Sequence, residues 1–192
     1  FHRGVVTGFL YQNIEYLWFV NWIHPSYIHP RVDLIDQELI AFAKLRNLGI
    51  NAWTVNNIPA IETDEDSILK TFNVNTLGVL RVCREVVSLM PYESRIINIS
   101  SGMGQLHDME GGSISYRLSK TALNALTKIL SVELKELDVK VNAICPGWVK
   151  TDMGGSNADL DIEESTKQIA KFVLADKFPN GKFFRHGIEI PW

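Results

Sequence analysis

The segment from Arg95 to Thr151 constrains the fold more than any other, because it joins two strand patterns through a helix pattern. Its first apolar run, Ile96 to Ile99, ends at two serines. Apolar residues then recur at helical spacing from Ser113 to Leu137. A second apolar run, Val139 to Ile144, stops at a Pro-Gly pair. Parallel strands need a long crossover of this kind, so the segment predicts a βαβ unit.

The rest of the chain continues the alternation of strand and helix patterns. This alternation predicts an α/β fold with a parallel sheet covered by helices on both faces. The remaining predicted helices are Asp33 to Arg46, Asp64 to Met90 and Ile162 to Ala175, and the remaining predicted strands are Gly4 to Gly8, Ala52 to Asn57 and Gly181 to Phe184.

Size and charge favour one soluble, globular domain over residues 1–192. The chain has 192 residues, of which 46% are apolar and 21% charged, enough to bury a core. Its net charge of −3 gives no general basic face for nucleic acid. The most apolar window, Ile14 to Ile23, is too short to span a membrane and carries Glu15 and Asn21. We therefore expect neither a nucleic-acid nor a membrane partner.

The two cysteines, Cys83 and Cys145, lie in apolar runs without a C-x-x-C motif, which favours a reduced, cytoplasmic protein. His24 and His29 precede prolines and lack companions at zinc-like spacing, so we expect no metal site. No signal peptide is recognised. Because the chain does not begin with Met, we expect a trimmed or incomplete start.

Tyr116 and Lys120 lie four residues apart, on one face of the predicted helix. A tyrosine pKa near 10 is poorly matched to proton transfer at neutral pH, and a neighbouring ammonium is expected to lower it. The pair therefore predicts a proton donor for carbonyl reduction, or an acceptor for alcohol oxidation. Y-x-x-x-K alone arises often by chance, and a solvated helix face is the alternative.

Ser101 and the Pro146–Gly147 pair strengthen this interpretation, because both end predicted strands. The carboxyl ends of parallel strands lie at the edge where α/β sheets bind ligands. The Ser101 hydroxyl there suits a hydrogen bond to a substrate oxygen. The loop after Gly147, with Thr151, suits contact with a flat ring that bears an amide.

These motifs resemble the short-chain dehydrogenases/reductases, a Rossmann-like family with a doubly wound parallel sheet. The resemblance covers about residues 52–192. The ending, residues 183–192, and the long loop between Ser101 and Tyr116 look like the carbonyl-reductase-like branch. The matching motifs are Asn98-Ile-Ser-Ser101, Tyr116-x-x-x-Lys120, Pro146-Gly-Trp-Val-Lys-Thr151 and Phe72-Asn-Val-Asn75.

The resemblance implies hydride transfer between a nicotinamide cofactor and a carbonyl or alcohol. It makes Tyr116 the acid/base and Ser101 the group that orients the carbonyl. Lys120 would bind the nicotinamide ribose and tune Tyr116, while Asn75 would hold a water in a proton relay. Residues implied in cofactor binding are Gly8, Asn56, Tyr116, Lys120, Pro146, Gly147, Val149 and Thr151. NADP is slightly preferred over NAD by the resemblance.

The N-terminal third, residues 1–51, departs from the family pattern. The motif T-G-x-x-x-G-x-G becomes Thr7-Gly-Phe-Leu-Tyr-Gln-Asn-Ile14, so both later glycines are missing and Gly8 suits a simple turn equally well. Asn-Asn-Ala-Gly becomes Asn56-Asn-Ile-Pro59. A βαβ unit needs roughly 30 residues, so the distance from Thr7 to Asn56 predicts that one βα unit is lost or eroded.

Two hypotheses follow. One is a reductase acting on a small carbonyl or alcohol substrate; the other is a related protein without turnover that serves as a binding or assembly partner. By resemblance, the helices carrying Asn75 and Tyr116 would join subunits in a homodimer or homotetramer. A serine hydrolase is a distant third, because Gly111-Gly-Ser-Ile-Ser115 lacks the last glycine of a nucleophile elbow.

Overall fold

The computed structural model describes residues 58–151 and 153–192 and, before them, the backbone of three strands. These are β1 (Gly4–Thr7), β2 (Tyr27–Ile28) and β3 (Gly49–Ile50). β2 and β3 pair in parallel in a two-stranded sheet of their own. Three predictions lie outside the described residues and stay predictions. They are the helix at 33–46, the strand at 52–57 and, for most of its length, the loss or erosion of one βα unit between Thr7 and Asn56.

The larger sheet has the order β1-β4-β5-β6-β7. Its further strands are β4 (Arg95–Ile99), β5 (Lys140–Cys145), β6 (Phe183–Arg185) and β7 (Ile188–Ile190). β1, β4, β5 and β6 run parallel, so their carboxyl ends share one edge. Thr7 pairs in register with Asn98, which places the end of β1 at this edge.

The sequence predicts Gly181 to Phe184 as the last strand and a parallel sheet throughout. The structure corrects this, because a further strand, β7, follows and runs antiparallel to β6. β6 and β7 form a hairpin through His186 and Gly187. Both turn residues have positive φ, 53° and 76°. Two-residue hairpin turns favour this backbone region. The pair His-Gly lacks the asparagine or aspartate that usually signals such a turn, and each strand has only three residues.

The predicted helices that fall within the described residues are confirmed with small changes of boundary. The helix expected from Asp64 comprises α1 (Glu65–Phe72), a π-helical turn (Asn73–Leu77) and α2 (Gly78–Val86). α3 (Ile114–Glu133) crosses from β4 to β5, and α4 (Ile162–Val173) precedes β6. Within the described residues, no helix is long and apolar enough to cross a membrane.

Helices cover both faces of the sheet, as the sequence predicts. Ile96 of β4 packs in a cluster with Cys83 of α2 and Leu130 of α3. Its neighbour Ile97 faces the other way, into a cluster with Phe178 that α4 closes. Alternate residues of one strand thus enter different cores, which is the doubly wound arrangement.

A polar pair lies between the sheet and α3. Asn98 of β4 and Thr127 of α3 are fully buried, and Asn98 Nδ2 donates to Thr127 Oγ1 at 2.8 Å. The Thr127 hydroxyl in turn donates to the Leu123 carbonyl at 2.7 Å. Because a buried donor without a partner is costly, this pair fixes α3 against β4.

Replacing Thr127 with valine keeps the side-chain shape and removes the acceptor for Asn98. We expect the free energy of unfolding to fall by about 2 kcal/mol, because a buried amide loses a hydrogen bond. Urea unfolding measures the change. Thr166→Val is the matched control, since the Thr166 hydroxyl also donates to a carbonyl four residues earlier but is exposed. Equal losses in the two variants would contradict the role of the buried pair.

Candidate active site

Ser101 follows β4 and begins a tight turn at the carboxyl edge of the sheet. Its Oγ accepts a hydrogen bond from the Met103 N–H at 3.2 Å, which caps a 3-10 turn over Gly102–Gly104. The strand end and the cap together fix where the hydroxyl lies. This is the edge position that the sequence predicts for Ser101.

The 3-10 turn packs directly on α3. A Cβ on Gly104 would lie 2.6 Å from the Lys120 carbonyl carbon and 2.7 Å from the Lys120 Cβ, so only glycine fits. The Gly104 carbonyl accepts hydrogen bonds from Thr121 Oγ1 at 3.0 Å and Asn124 Nδ2 at 3.1 Å. This close approach brings the serine-bearing turn to the helix that carries Tyr116.

Tyr116 and Lys120 lie on the side of α3 that faces the turn. The Lys120 Nζ donates to the Ile99 carbonyl at 2.9 Å and lies 5.6 Å from the centre of the Tyr116 ring. A side-chain hydrogen bond joins Tyr116 to Ser101. The structure therefore brings Ser101, Tyr116 and Lys120 together.

The pKa of Tyr116 is raised to about 12, which corrects the expected lowering by Lys120. Burial is the largest cause; the hydrogen bond from Ser101 lowers the pKa, and a coulombic interaction with Cys145 raises it. Burial also lowers the pKa of Lys120 to about 8, against a smaller raising effect of Cys145. Desolvation thus outweighs the other effects on both pKa values. At neutral pH the phenol keeps its proton.

Asn75 joins the site through α3 rather than by touching Tyr116. It lies in the π-helical turn, and its Nδ2 donates to Ser119 Oγ at 3.0 Å. The Ser119 hydroxyl donates to the Tyr116 carbonyl at 2.8 Å. Single π-helical turns inside α-helices often occur at functional sites. Here the turn places Asn75 beside the residue that precedes Lys120.

The loop after β5 contains the other predicted cofactor residues. Hydrogen bonds within the loop stabilise its conformation. Gly147 has φ of 84°, where a side chain would be strained. Val149 bridges to Leu160, and the Thr151 hydroxyl donates to the Val149 carbonyl at 3.3 Å. Thr151 Oγ1 also accepts from the Gly154 N–H at 3.1 Å. Pro146 and Gly147 lie at the same edge as Ser101, at the end of the neighbouring strand.

Gly8 and Asn56, the predicted cofactor residues of the N-terminal part, lie outside the described residues. The structure accordingly tests only the end of the predicted cofactor site formed by β4, β5 and α3.

The sequence interpretation missed several side chains next to the site. Cys145 Sγ accepts a hydrogen bond from the Gly102 N–H at 3.2 Å. His186 Nδ1 lies 2.6 Å from Gln168 Oε1, and both residues line a shallow pocket between α4 and the β6–β7 hairpin. Cys145 and Pro146 also line this pocket, whereas Ser101, Tyr116 and Lys120 do not. The signal for Cys145 was its place directly before Pro-Gly.

The chain is similar to known proteins over most of its length. A family model described as enoyl-(acyl carrier protein) reductase matches residues 41–175. C-signal of Myxococcus xanthus is 32% identical over 136 residues, which cover 68% of this chain and 82% of that protein. Carbonyl reductase [NADPH] 3 of Mus musculus is 26% identical over 163 residues, 81% of this chain.

A solved structure shows the same fold. The carbonyl reductase Sniffer of D. melanogaster superposes with a TM-score of 0.65 at 27% identity, covering 86% of this chain and 87% of that one. The matched segment spans only 56% of carbonyl reductase [NADPH] 3. The chain therefore corresponds to about half of that reductase and to most of C-signal.

Replacing Lys120 with methionine tests the cost of its buried charge. The folded pKa of about 8 lies below the ordinary 10.5, so the unfolded chain binds more protons between these values and stability rises with pH there. At 1.36 kcal/mol per pKa unit, the ammonium destabilises the fold by up to about 3 kcal/mol below pH 8. We therefore compare the free energy of unfolding of Lys120→Met with that of the parent. The difference in favour of the variant should be about 3 kcal/mol larger at pH 7 than at pH 10.5.

Urea unfolding at both pH values measures this difference. The lost hydrogen bond to Ile99 acts at every pH, so comparing the two pH values isolates the charge. Lys128→Met is the control on the same helix, because the Lys128 side chain is exposed. A stability difference that does not change with pH would refute the buried-charge argument.

Proposed function

Because the chain belongs to the short-chain dehydrogenase/reductase family, we propose that it is an NADPH-dependent oxidoreductase that reduces an aldehyde or ketone to an alcohol. The observation that carries the proposal is the meeting of Ser101, Tyr116 and Lys120 at the carboxyl edge of β4. The name of carbonyl reductase [NADPH] 3 supports the choice of cofactor and substrate class.

Tyr116 donates the proton in the proposed reaction. Its raised pKa keeps the phenol protonated at neutral pH, the state that reduction requires. The Ser101 hydroxyl, hydrogen-bonded to Tyr116, orients the carbonyl oxygen toward the phenol. Reduced nicotinamide, when bound, supplies the hydride to the carbonyl carbon.

The residues at the nicotinamide end fit this cofactor. Lys120 presents an ammonium beside Tyr116, where it would bind the ribose hydroxyls. The space beside Gly147 on its side-chain side is filled by Leu160 and His186, so a flat ring would lie against the rest of this loop, which contains Pro146, Val149 and Thr151. Asn75 would hold a water near Lys120 through its place beside Ser119.

The adenosine end of the proposed site depends on Gly8 and Asn56. β1 ends at Thr7 in register with Asn98, so the chain enters Gly8 at the edge where Ser101 lies. We assign Gly8 to contact with the pyrophosphate, as backbone at such strand ends does in dinucleotide-binding folds. Both halves would belong to one domain over residues 1–192.

A related protein without turnover is the second candidate. The match to C-signal covers 82% of that protein, whose name is that of a signal rather than of an enzyme. The missing glycines of the N-terminal motif point the same way. In this case the chain would act by binding a partner. It would not bind a nicotinamide cofactor, so Ser101, Tyr116 and Lys120 would not support turnover.

NADPH titration of the parent and of Tyr116→Phe tests the proposed function. Trp148 lies in the loop next to Gly147, so energy transfer from tryptophan to bound NADPH reports binding. We expect saturable binding with similar affinity in both proteins. Turnover of carbonyl substrates should fall by roughly 10²–10⁴-fold in Tyr116→Phe, because a proton donor is lost.

Two controls complete this experiment. Tyr92→Phe removes an exposed tyrosine hydroxyl far along the chain from α3 and should leave turnover unchanged. In the alcohol-oxidising direction, parent activity should rise with pH above neutrality, because the phenolate forms only as the pH approaches a pKa of about 12. Absence of NADPH and NADH binding at millimolar concentration would favour the non-enzymatic candidate, and full activity of Tyr116→Phe would remove its assigned role.

We also propose that α3 joins two copies of the chain. Leu118 and Ile129 belong to the apolar residues that recur at helical spacing along this helix. In the structure they are 47% and 52% exposed, and Val132 on the same stripe is 67% exposed. An apolar helix face of this length is typical of an interface. A homodimer through α3, with the helix that carries Asn75 beside it, would cover the stripe.

Light scattering coupled to gel filtration measures the oligomeric state. We expect the parent to be a dimer or tetramer, and Ile129→Glu to shift it toward the monomer because a charge would be buried at the interface. Leu174→Glu changes an equally exposed leucine at the end of α4 and should leave the assembly intact. A monomeric parent would show that α3 does not serve as an interface.

A further inference from the structure

Arg185, at the end of β6, lies against the serine-bearing turn. A Cβ on Gly102 would overlap the Arg185 Nη2 and lie 3.0 Å from its Cζ, so the guanidinium fills the space beside this glycine. Arg185 pairs in register with Cys145, whose Sγ accepts the Gly102 N–H. Gly102 is therefore contacted by two neighbouring strands at once.

The packing of Arg185 on Gly102 is not explained by a complete set of hydrogen bonds. Its Nε is buried and makes no hydrogen bond within the described part of the chain. A buried donor without a partner costs stability, so hydrogen bonding of Nε does not account for the position of this side chain. Its contact with Gly102, the neighbour of Ser101, does account for it.

His186, the next residue, contacts the other glycine of the site. A Cβ on Gly147 would lie 2.8 Å from His186 Cε1 and 3.5 Å from its Nε2. The imidazole is held on its other side by Gln168 of α4, at 2.6 Å from Nδ1. The positive φ of His186 at the hairpin turn directs the chain so that adjacent residues reach the two glycines.

We propose that Arg185 and His186, the hairpin tip, are positioning residues that set the distance between the Ser101 turn and the Gly147 turn. The inference rests on the proposed function, in which Ser101 orients the carbonyl and Gly147 borders the nicotinamide. Arg185 acts through Gly102 on Ser101, and His186 acts through Gly147 on the wall of the cofactor site. The C-terminal hairpin thereby controls how the substrate carbonyl and the ring face each other.

The two residues of the hairpin tip have separable effects. Displacement of Ser101 weakens an interaction with the reacting oxygen, so Arg185 variants should lower kcat with little change in NADPH affinity. Displacement of Gly147 alters a binding surface, so His186 variants should weaken NADPH binding more than they lower kcat. A purely structural role of the hairpin would lower both together.

The experiment uses four single variants of the full chain. Arg185→Ala removes the guanidinium, and Arg185→Lys keeps the charge without the planar group. His186→Asn removes the ring but keeps a residue that tolerates positive φ. Glu189→Gln is the matched control, because it breaks the exposed ion pair of Glu189 with Lys182 on the same hairpin without contacting either glycine.

We expect both Arg185 variants to lose roughly tenfold to a hundredfold in kcat, as small misplacements of reacting groups do. His186→Asn should raise the NADPH Kd about tenfold, and Glu189→Gln should match the parent. In a Ser101→Ala background, Arg185→Ala should have almost no further effect on kcat, because Arg185 acts through Ser101. Parent-like kcat in Arg185→Ala, or an undiminished further loss in the Ser101→Ala background, would overturn the proposal.

An NMR measurement decides the proposal without turnover. The backbone amide of Gly102 should shift in Arg185→Ala and that of Gly147 in His186→Asn, while Glu189→Gln should shift neither. This pattern supports the positioning contacts even if the parent binds no NADPH, in which case the proposed function alone fails. Unshifted glycine amides in the tip variants, or the same shifts in the control, would refute the positioning role.

Discussion

The site depends on one close contact, that of the Gly104 backbone with α3 at Lys120. No side chain separates the two backbones, and the Gly104 carbonyl is held by Thr121 and Asn124. This contact carries the end of β4 to the helix with Tyr116, so Ser101 reaches the phenol. Tyr116 and Lys120 lie half-buried beside this contact, and their burial shifts both pKa values.

Burial gives Tyr116 and Lys120 opposite shifts that both favour the neutral form. A tyrosine and a lysine on adjacent helical turns suggest an ion pair when the sequence is read alone. The structure instead holds a protonated phenol beside an amine whose pKa lies close to neutrality. The phenol is therefore protonated at neutral pH, but its raised pKa makes proton release harder, so formation of the phenolate requires additional stabilisation by what binds there.

The strands and helices that show a local pattern of apolar residues could be predicted from the sequence. Contacts between residues that are distant along the chain could not. The apolar runs of β4 and β5 and the helical spacing of α3 located the strands and the crossover, and with them the positions of Ser101, Tyr116 and Lys120. Spacing alone does not distinguish a helix face in the core from one at the surface, so it could not show that Leu118 and Ile129 are exposed. Arg185 and His186 lie in short strands and a turn with little periodicity, and only the folded hairpin shows which glycines they contact.

The two ends of the proposed cofactor site affect different steps. The described end places Ser101, Tyr116 and the Gly147 turn, and under the proposed function it would determine the rate once the cofactor is bound. The proposal assigns the end near Gly8 to the pyrophosphate, where backbone N–H groups would supply binding energy. Side chains at Gln12 and Ile14 stand where the family pattern has glycine. This chain combines the arrangement of Ser101, Tyr116 and Lys120 with an N-terminal motif that lacks two glycines. Such a chain is expected to lose cofactor affinity before it loses its proton donor. An active and an inactive member of the family can therefore differ in the N-terminal part alone.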